Sequence, residues 1–197
     1  MTDDAVQGHF PCSPPVRVVS AAAADPRFVA LAAAQQAELV ERYGGGEPMC
    51  LPVNRLVEVL LALDGDDPVG CVALAAPPEH PADPRPLTGS TATLAGGVSA
   101  PEVPDQAVLG EIKRLYVTPA ARRRGVSRML MGEVESRAAR RGLAALVLES
   151  GTAQPEAVGL YESLGYHLIA NYGDYAQAPR SLSYARYLEA RAPTTAR

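Results

Sequence analysis

The sequence predicts an α/β domain built on a central mixed sheet, and three observations carry that expectation. Strand-like and helix-like stretches alternate from Val16 to Glu189. Two apolar runs, 57–63 and 69–76, flank the turn residues DGDDP and read as a hairpin, so the sheet is mixed rather than wholly parallel. Between Gly110 and Gly142, GEIKRLYVTPAARRRGVSRMLMGEVESRAARRG passes from a strand through a basic glycine loop into a helix.

The elements follow in order. Residues 1–15 are polar and Pro-containing and are expected to form a flexible N-terminal segment ahead of a domain spanning 16–189. VRVVS, Val16 to Ser20, is a first short strand. From Pro26 to Tyr43 strong helix formers carry apolar residues at Phe28, Leu31, Leu39 and Val40, with Pro26 suited to the first turn and GGGEP closing the segment. The stretch through Leu56 reads equally as a short second helix or as a loop over a pocket. After the hairpin, 77–107 forms a Pro-rich insertion without an apolar face. It is expected to be disordered, the alternative being a cover over a site or a subunit surface.

Ile112 to Val117 is the next strand. The helix from about Val126 to Arg141 presents Met129, Leu130, Val134 and Ala138 at helical spacing, and Gly142 stops it. AALVLES, Ala144 to Ser150, has the continuous apolar centre of a strand covered on both faces. Gln154 to Leu164 is a short helix, YHLIANY a strand with Tyr166 and Leu168 on one face, and Ser183 to Glu189 the last strand. Residues 190–197 read as a flexible tail.

Composition bounds the function. With 47% apolar and 20% charged residues, the 197-residue chain has the make-up of a globular domain rather than a disordered one. A formal charge of -4 gives no electrostatic footprint for nucleic acid. Cys12, Cys50 and Cys71 form no CxxC pair, and His9, His80 and His167 have no ligand spacing, so no metal site is expected; Cys71, in an apolar run, reads as a core residue. The first fifteen residues lack a signal pattern and no 18-residue apolar stretch occurs, so no membrane association is expected and the expected location is cytoplasmic.

The basic loop has a chemical reading of its own. Unpaired N–H groups at a helix N-terminus bind anions, Gly125 lets the chain approach closely, and Arg122, Arg123 and Arg124 add charge and donors suited to phosphate. A phosphorylated ligand is therefore expected. GxxxxGK[ST] is absent and no strand leads directly into GxGxxG, which disfavours nucleoside triphosphates and dinucleotides.

RRRGVS, from Arg122 to Ser127, resembles the signature loop of the GCN5-related N-acetyltransferase (GNAT) superfamily, Gln or Arg followed by two residues, Gly, one residue, then Gly or Ala. Ser127 departs slightly from the usual small apolar residue. The resemblance extends over EIKRLYV, LVLES and GLYESLGY, roughly 110–168, and more weakly over 26–43 and 58–76. It implies a single GNAT-like domain with a mostly antiparallel, twisted mixed sheet flanked by helices, and acetyl-CoA as cosubstrate without a metal. It implies further that backbone donors from Arg123 through Gly125 and Val126 to Ser127 hold the pyrophosphate. Leu115, Tyr116 and Val117 would line the pantetheine arm, an N–H near Leu115 or Tyr116 would meet the acetyl oxygen, and Gln154 is an inexact match to a cofactor-contacting asparagine.

By the same resemblance, Tyr161 would protonate the departing thiolate, and Glu111 stands where some members carry a general-base glutamate. A packed core tyrosine and a salt-bridged glutamate are the structural alternatives. The expected reaction is direct attack by a small-molecule amine or an amino-acid derivative in a ternary complex. A protein amine as acceptor and a noncatalytic acyl-CoA-binding regulator remain open. Glu38, Glu41 and Glu47 would favour a cationic acceptor if they line the pocket; Tyr172, Tyr175 and Arg180 would contact it if the late loop closes. Pairing of two copies through sheet edges or helices is compatible with the resemblance.

Overall fold

The structure, a computed structural model, describes residues 15–45, 53–76, 83–85, 87 and 108–189. Among the described residues seven strands form one sheet: β1 (Arg17–Ala21), β2 (Leu56–Asp64), β3 (Asp67–Ala75), β4 (Leu109–Val117), β5 (Ala145–Gly151), β6 (His167–Ile169) and β7 (Ser181–Tyr187), in the spatial order β1-β2-β3-β4-β5-β7-β6. The β4–β5 pair is parallel and the other five adjacent pairs are antiparallel. The expected mixed, mostly antiparallel sheet is present.

The α-helices of the described residues flank the sheet: α1 (Pro26–Tyr43), α2 (Val126–Arg140) and α3 (Pro155–Ser163). The bounds of α1 follow from its ends. Asp25 accepts a hydrogen bond from the Arg27 N–H, Pro26 needs no donor in the first turn, and Gly44 turns left-handed at φ 76 while Gly45 N–H bonds the Val40 carbonyl. Of the stretch before Leu56, the described residues from Val53 form a 3-10 turn, Val53–Arg55, that leads directly into β2.

The core has two sides because the central strands are covered on both faces. On one, α2 lays Val126, Leu130, Met131, Val134 and Ala138 against Leu60, Val72, Leu74, Ile112, Leu146 and Leu148. Met129, expected on this face, is instead 41% exposed, and Met131 takes the inward position. At 100° per residue the stripe 126-130-134-138 is centred nearer to Met131, so the structure corrects that assignment. Removing one of these side chains, as in Leu130→Ala, would cost about 2–5 kcal/mol. On the other side, Phe28 and Leu31 of α1 pack on Val59, Leu61, Leu63, Cys71 and Ala73. Cys71 is buried there, as expected.

Part of the Pro-rich insertion runs along the sheet edge. The buried Pro84 offers its carbonyl to His167 at 2.8 Å and to the Tyr187 hydroxyl at 3.1 Å, and Leu87 N–H bonds the Leu168 carbonyl at 3.2 Å. The expected flexible segments, 1–15 apart from Pro15, 190–197, and the remainder of 77–107, lie outside the described residues. Among the described residues no helix is long and apolar enough to cross a membrane.

Candidate active site

The site begins where two parallel strands part. β4 and β5 pair only from Leu109 with Ala145 to Ile112 with Leu148; from Lys113 onward β4 has no partner on that side. A bulge lies at the same place. Ile112, Leu115 and Val117 pack toward α2, whereas Tyr116 packs toward α1, so one residue between Lys113 and Leu115 is extra to the alternation. That residue is Arg114, held at φ 57, and the β3–β4 register shifts opposite it, between Cys71 and Ala73. A non-glycine residue held there stores strain, about 1–3 kcal/mol.

The second half of α1 crosses this fork. Its inward stripe is apolar at Phe28 and Leu31 over β2 and β3, then becomes Gln35, Glu38, Leu39 and Arg42 over the gap. Gln35 Nε2 donates to the Leu115 carbonyl at 2.8 Å, while Gln35 Oε1 is buried without a partner. The amide orientation is fixed by that bond, because only the nitrogen can donate to a carbonyl. Two clefts meet at this point. One, of about 620 Å³, runs to the basic loop; the other, of about 630 Å³, opens on the far side, and Gln35, Leu39, Leu115, Gln154 and Ala157 line both.

The loop-side cleft gathers Leu115, Tyr116, Val117, Arg122, Arg123, Val126, Ser127 and Gln154 of the expected contacts. Gly125 precedes α2 at φ 82 with no side-chain cap, and a Cβ there would meet nothing within 4 Å. Arg123 is left-handed as well, at φ 61. Arg123, Val126 and Ser127 line the cleft, and a helix start without a side-chain cap is a backbone arrangement suited to phosphate oxygens.

The three arginines divide their tasks in a way the sequence did not foretell. Arg122 donates through Nε to the Val117 carbonyl at 3.0 Å and through Nη2 to Glu38, and its guanidinium lies 5.8 Å from the Tyr116 ring. Arg124 turns away to Asp64 on the hairpin, at 2.8 Å. Arg123 lines the cleft beside Arg122. Glu38 also accepts from Arg42, which reaches Glu156 on α3, so an ion-pair chain crosses the cleft mouth. The Arg122 bond, with that of Arg42, holds the Glu38 carboxyl below its ordinary range against the opposing effect of burial.

The far-side cleft holds Tyr161 of α3. Its ring is wedged between Tyr166 and Tyr184, at centroid distances of 5.9 and 6.2 Å. Burial first, and the charge of Glu149 second, push its hydroxyl well above the ordinary tyrosine range, so it stays protonated at neutral pH. Tyr166 packs as expected and donates to Glu135 at 3.0 Å.

Glu111 is placed differently from Tyr161. It is 1% exposed in β4 and lines neither cleft. Its carboxylate is held by Lys113 at 2.7 Å, by Arg55 at 3.4 Å and by the Tyr172 hydroxyl at 3.0 Å. The carboxylate that does face the far-side cleft is Glu149, at the parting end of β5, which accepts from the Ser181 hydroxyl. Burial is the main cause that raises its pKa, with Lys113 and the Ser181 bond opposing. The sequence carried a signal for it: a glutamate ending the apolar run of a strand covered on both faces.

Other acceptor-side expectations sort similarly. Tyr175 and Arg180 line the far-side cleft, whereas Tyr172 is buried behind it on Glu111. Glu38 is committed to arginines, Glu41 lines neither cleft, and Glu47 lies outside the described residues. Cys71 is no nucleophile: burial pushes its thiol up to about 12. Among the described residues no group of three or more His, Cys, Asp or Glu side chains is placed to hold a metal.

The fork between the two parallel strands thus lies with the basic loop on one side and the buried Tyr161 on the other. The chain belongs to the Acetyltransferase (GNAT) family, whose model matches residues 49–166. An "IAA acetyltransferase" of Azospirillum brasilense is 35% identical over 86 residues, 44% of this chain and 56% of that protein; the chain thus spans about half the length of this relative. A structure from Klebsiella pneumoniae subsp. pneumoniae, provisionally assigned as an acyl-CoA N-acyltransferase, shares the fold with a TM-score of 0.63 and 24% identity, over 88% of this chain and 97% of that one. A GNAT family acetyltransferase from Elizabethkingia anophelis, solved with acetyl-CoA bound, shares it with a TM-score of 0.56 and 15% identity, over 88% and 98% of the two chains. The family and fold support acetyl-CoA-dependent acyl transfer in general terms.

Proposed function

We propose that this protein transfers the acetyl group of acetyl-CoA to the amine of a small molecule or amino-acid derivative, by direct attack with both substrates bound. The observation that carries this reading is the meeting of the two clefts at Leu115, where β4 has left β5. A thioester reaching in from the loop side and an amine from the far side would come together there without an acyl-enzyme.

On this reading the chain's own groups have separate tasks. The N–H groups from Arg123 to Ser127 bind the pyrophosphate, with Arg122 and Arg123 adding charge; Arg124 acts through its anchor to Asp64. Leu115, Tyr116 and Val117 line the pantetheine path with Gln154, and an N–H at Leu115 or Tyr116 stabilises the oxyanion. Gln35 Oε1, buried and unpartnered, supplies an acceptor for an N–H at the meeting point. Glu149 takes the proton lost by the nitrogen as the N–C bond forms. Tyr161 gives a proton to the sulfur as the C–S bond breaks. Glu111 holds Lys113 in place rather than meeting the amine, and this moves the general-base role from β4 to β5.

The experiment that tests the cofactor half is calorimetric titration with acetyl-CoA and CoA. Binding of both, weakened at least about tenfold in Gly125→Val, is expected. A folded protein that binds no acyl-CoA would sink the assignment and its noncatalytic variant together.

A further inference from the structure

Two serines of β7 share a face of the sheet with Glu149. The β5–β7 register pairs Glu149 with Ser183 and Gly151 with Ser181. Leu182 and Tyr184 pack on the α2 side, whereas Val147 and Ala185 pack on the other, so alternation puts Glu149, Ser181 and Ser183 on the face of Ala185. Glu149 therefore has Ser183 directly opposite and Ser181 diagonally ahead, toward the parting end of β5. Both positions are within reach of a long side chain.

The carboxylate takes the diagonal serine. Ser181 donates its hydroxyl hydrogen to Glu149 Oε1, and both residues line the far-side cleft. Ser183 does not line it: the residue is 0% exposed, and its hydroxyl has no hydrogen-bond partner among the described residues. A buried hydroxyl left unpaired costs about 1–3 kcal/mol, so it attracts the nearest acceptor, and in register that acceptor is Glu149. Ser181 is itself held on both sides. Its N–H donates to the Ala178 carbonyl at 3.1 Å, and its carbonyl accepts from Asn171 Nδ2 at 3.1 Å.

Resting on the reading of Glu149 as the general base, we propose that Ser181 is a positioning residue: its hydroxyl holds the Glu149 carboxylate at the cleft end of β5, against the competing pull of Ser183. With Oε1 engaged, Oε2 is the oxygen that meets the amine. Without Ser181, the side chain turns back onto Ser183 and leaves the cleft. Other groups act on the same carboxylate. Burial is the largest effect and raises its pKa; the Ser181 bond and Lys113 of β4 oppose it, and Glu111 adds to it. The Glu149 charge in turn acts on Tyr161 of α3 and on Tyr172 and Tyr175 of the connection into β7. Arg114 and Arg180 line the same cleft. A turn toward Ser183 exchanges one hydroxyl donor for another and carries the carboxylate deeper, which raises its pKa further.

The test compares pH profiles of kcat/KM, for an amine that is acetylated, between wild type and variants of the two serines. Ser181→Ala should lower kcat/KM about tenfold and move the acid limb to higher pH. Ser181→Thr, which keeps the hydroxyl, should recover most of that loss. Ser183→Ala alone should stay within about twofold of wild type, and added to Ser181→Ala it should recover at least about threefold. Lost packing at Ser181 would instead be deepened by the second removal. A wild-type profile in Ser181→Ala, or a double variant no faster than Ser181→Ala, overturns the proposal. Should Ser181→Ala not fold, Ser181→Cys, a weak donor of similar size, takes its place with the same two outcomes. If Glu149→Gln keeps the wild-type profile, the base reading falls and the proposal with it; if Glu149→Gln loses the limb and Ser181→Ala leaves it in place, the proposal alone falls. If no amine is acetylated, carbon-detected NMR titration of the Glu149 carboxyl decides. A midpoint that rises in Ser181→Ala and returns in Ser181→Thr supports the positioning role, and an unmoved midpoint overturns it.

Discussion

Gln35 of α1 donates a 2.8 Å hydrogen bond to the carbonyl of Leu115, and both residues line both clefts where they meet. A helix from the first quarter of the chain is thereby tied to the strand whose parting from β5 opens the site. Replacing Gln35 with Leu, nearly isosteric, would leave that carbonyl short of a donor and remove the buried acceptor. Stability should fall by about 1–3 kcal/mol in urea unfolding, and kcat should fall more than acetyl-CoA affinity. Unchanged kcat at reduced stability would confine Gln35 to a structural role.

Glu149→Gln should lower kcat/KM for the amine by about 10²–10⁴. Because burial raises the Glu149 pKa, the wild-type rate should fall as pH drops through that raised value, where the carboxylate takes up a proton before the amine can give one. A pH profile of the variant should lack that limb. Glu111→Gln is the comparison: if it abolishes the limb and Glu149→Gln does not, the base is on β4 after all.

Tyr161→Phe removes the hydroxyl and leaves the ring between Tyr166 and Tyr184. Turnover should slow by about tenfold to 10²-fold, with acetyl-CoA affinity within twofold of wild type. Full activity in the variant, compared at several pH values, would make Tyr161 a packing residue.

Gly151 abuts the Tyr43 hydroxyl so closely that an added Cβ would lie 1.6 Å from it. Gly151→Ala should displace Tyr43, and with it the ring under Arg180. The measurement is a pair of Michaelis constants: a rise for the acceptor of about fivefold or more, with little change for acetyl-CoA.

The Glu38 bridge gives a pH-dependent contribution to stability. Its folded-state pKa is depressed below the ordinary glutamate value, chiefly by Arg122 and also by Arg42. That contribution is therefore present above about pH 4.5 and is lost as pH falls through the lower folded value. Chemical denaturation from pH 7 to pH 3 should show a smaller acid loss for Glu38→Gln than for wild type; parallel curves would mean the bridge carries no net stability.

The sequence made the scaffold legible where local chemistry acts alone. Asp25 and Pro26 start α1 and Gly44 ends it because capping depends on neighbouring residues, and the DGDDP turn announces its hairpin in the same way. The turn through Gly125 into α2 was legible for that reason too. What was hidden depends on residues far apart in the chain. The bulge at Arg114 is set by the β3–β4 register, the commitment of Arg122 and Arg124 by Glu38 and Asp64, and the burial of Glu111 by Lys113, Arg55 and Tyr172. Glu149 and Glu111 look alike in the sequence, each at one end of an apolar strand. Only the parting of the strands separates the one that reaches a cleft from the one that does not.

The most direct measurement is a stoichiometric one: purified protein, acetyl-CoA and a broad panel of amines, with free thiol and acetylated product counted by mass spectrometry. The fork at Leu115 predicts that the two appear in equal amounts, only when an amine is present, and more slowly with Tyr161→Phe. Tight binding of acetyl-CoA without consumption in the presence of every amine would contradict it and leave a protein that holds the thioester but does not transfer it.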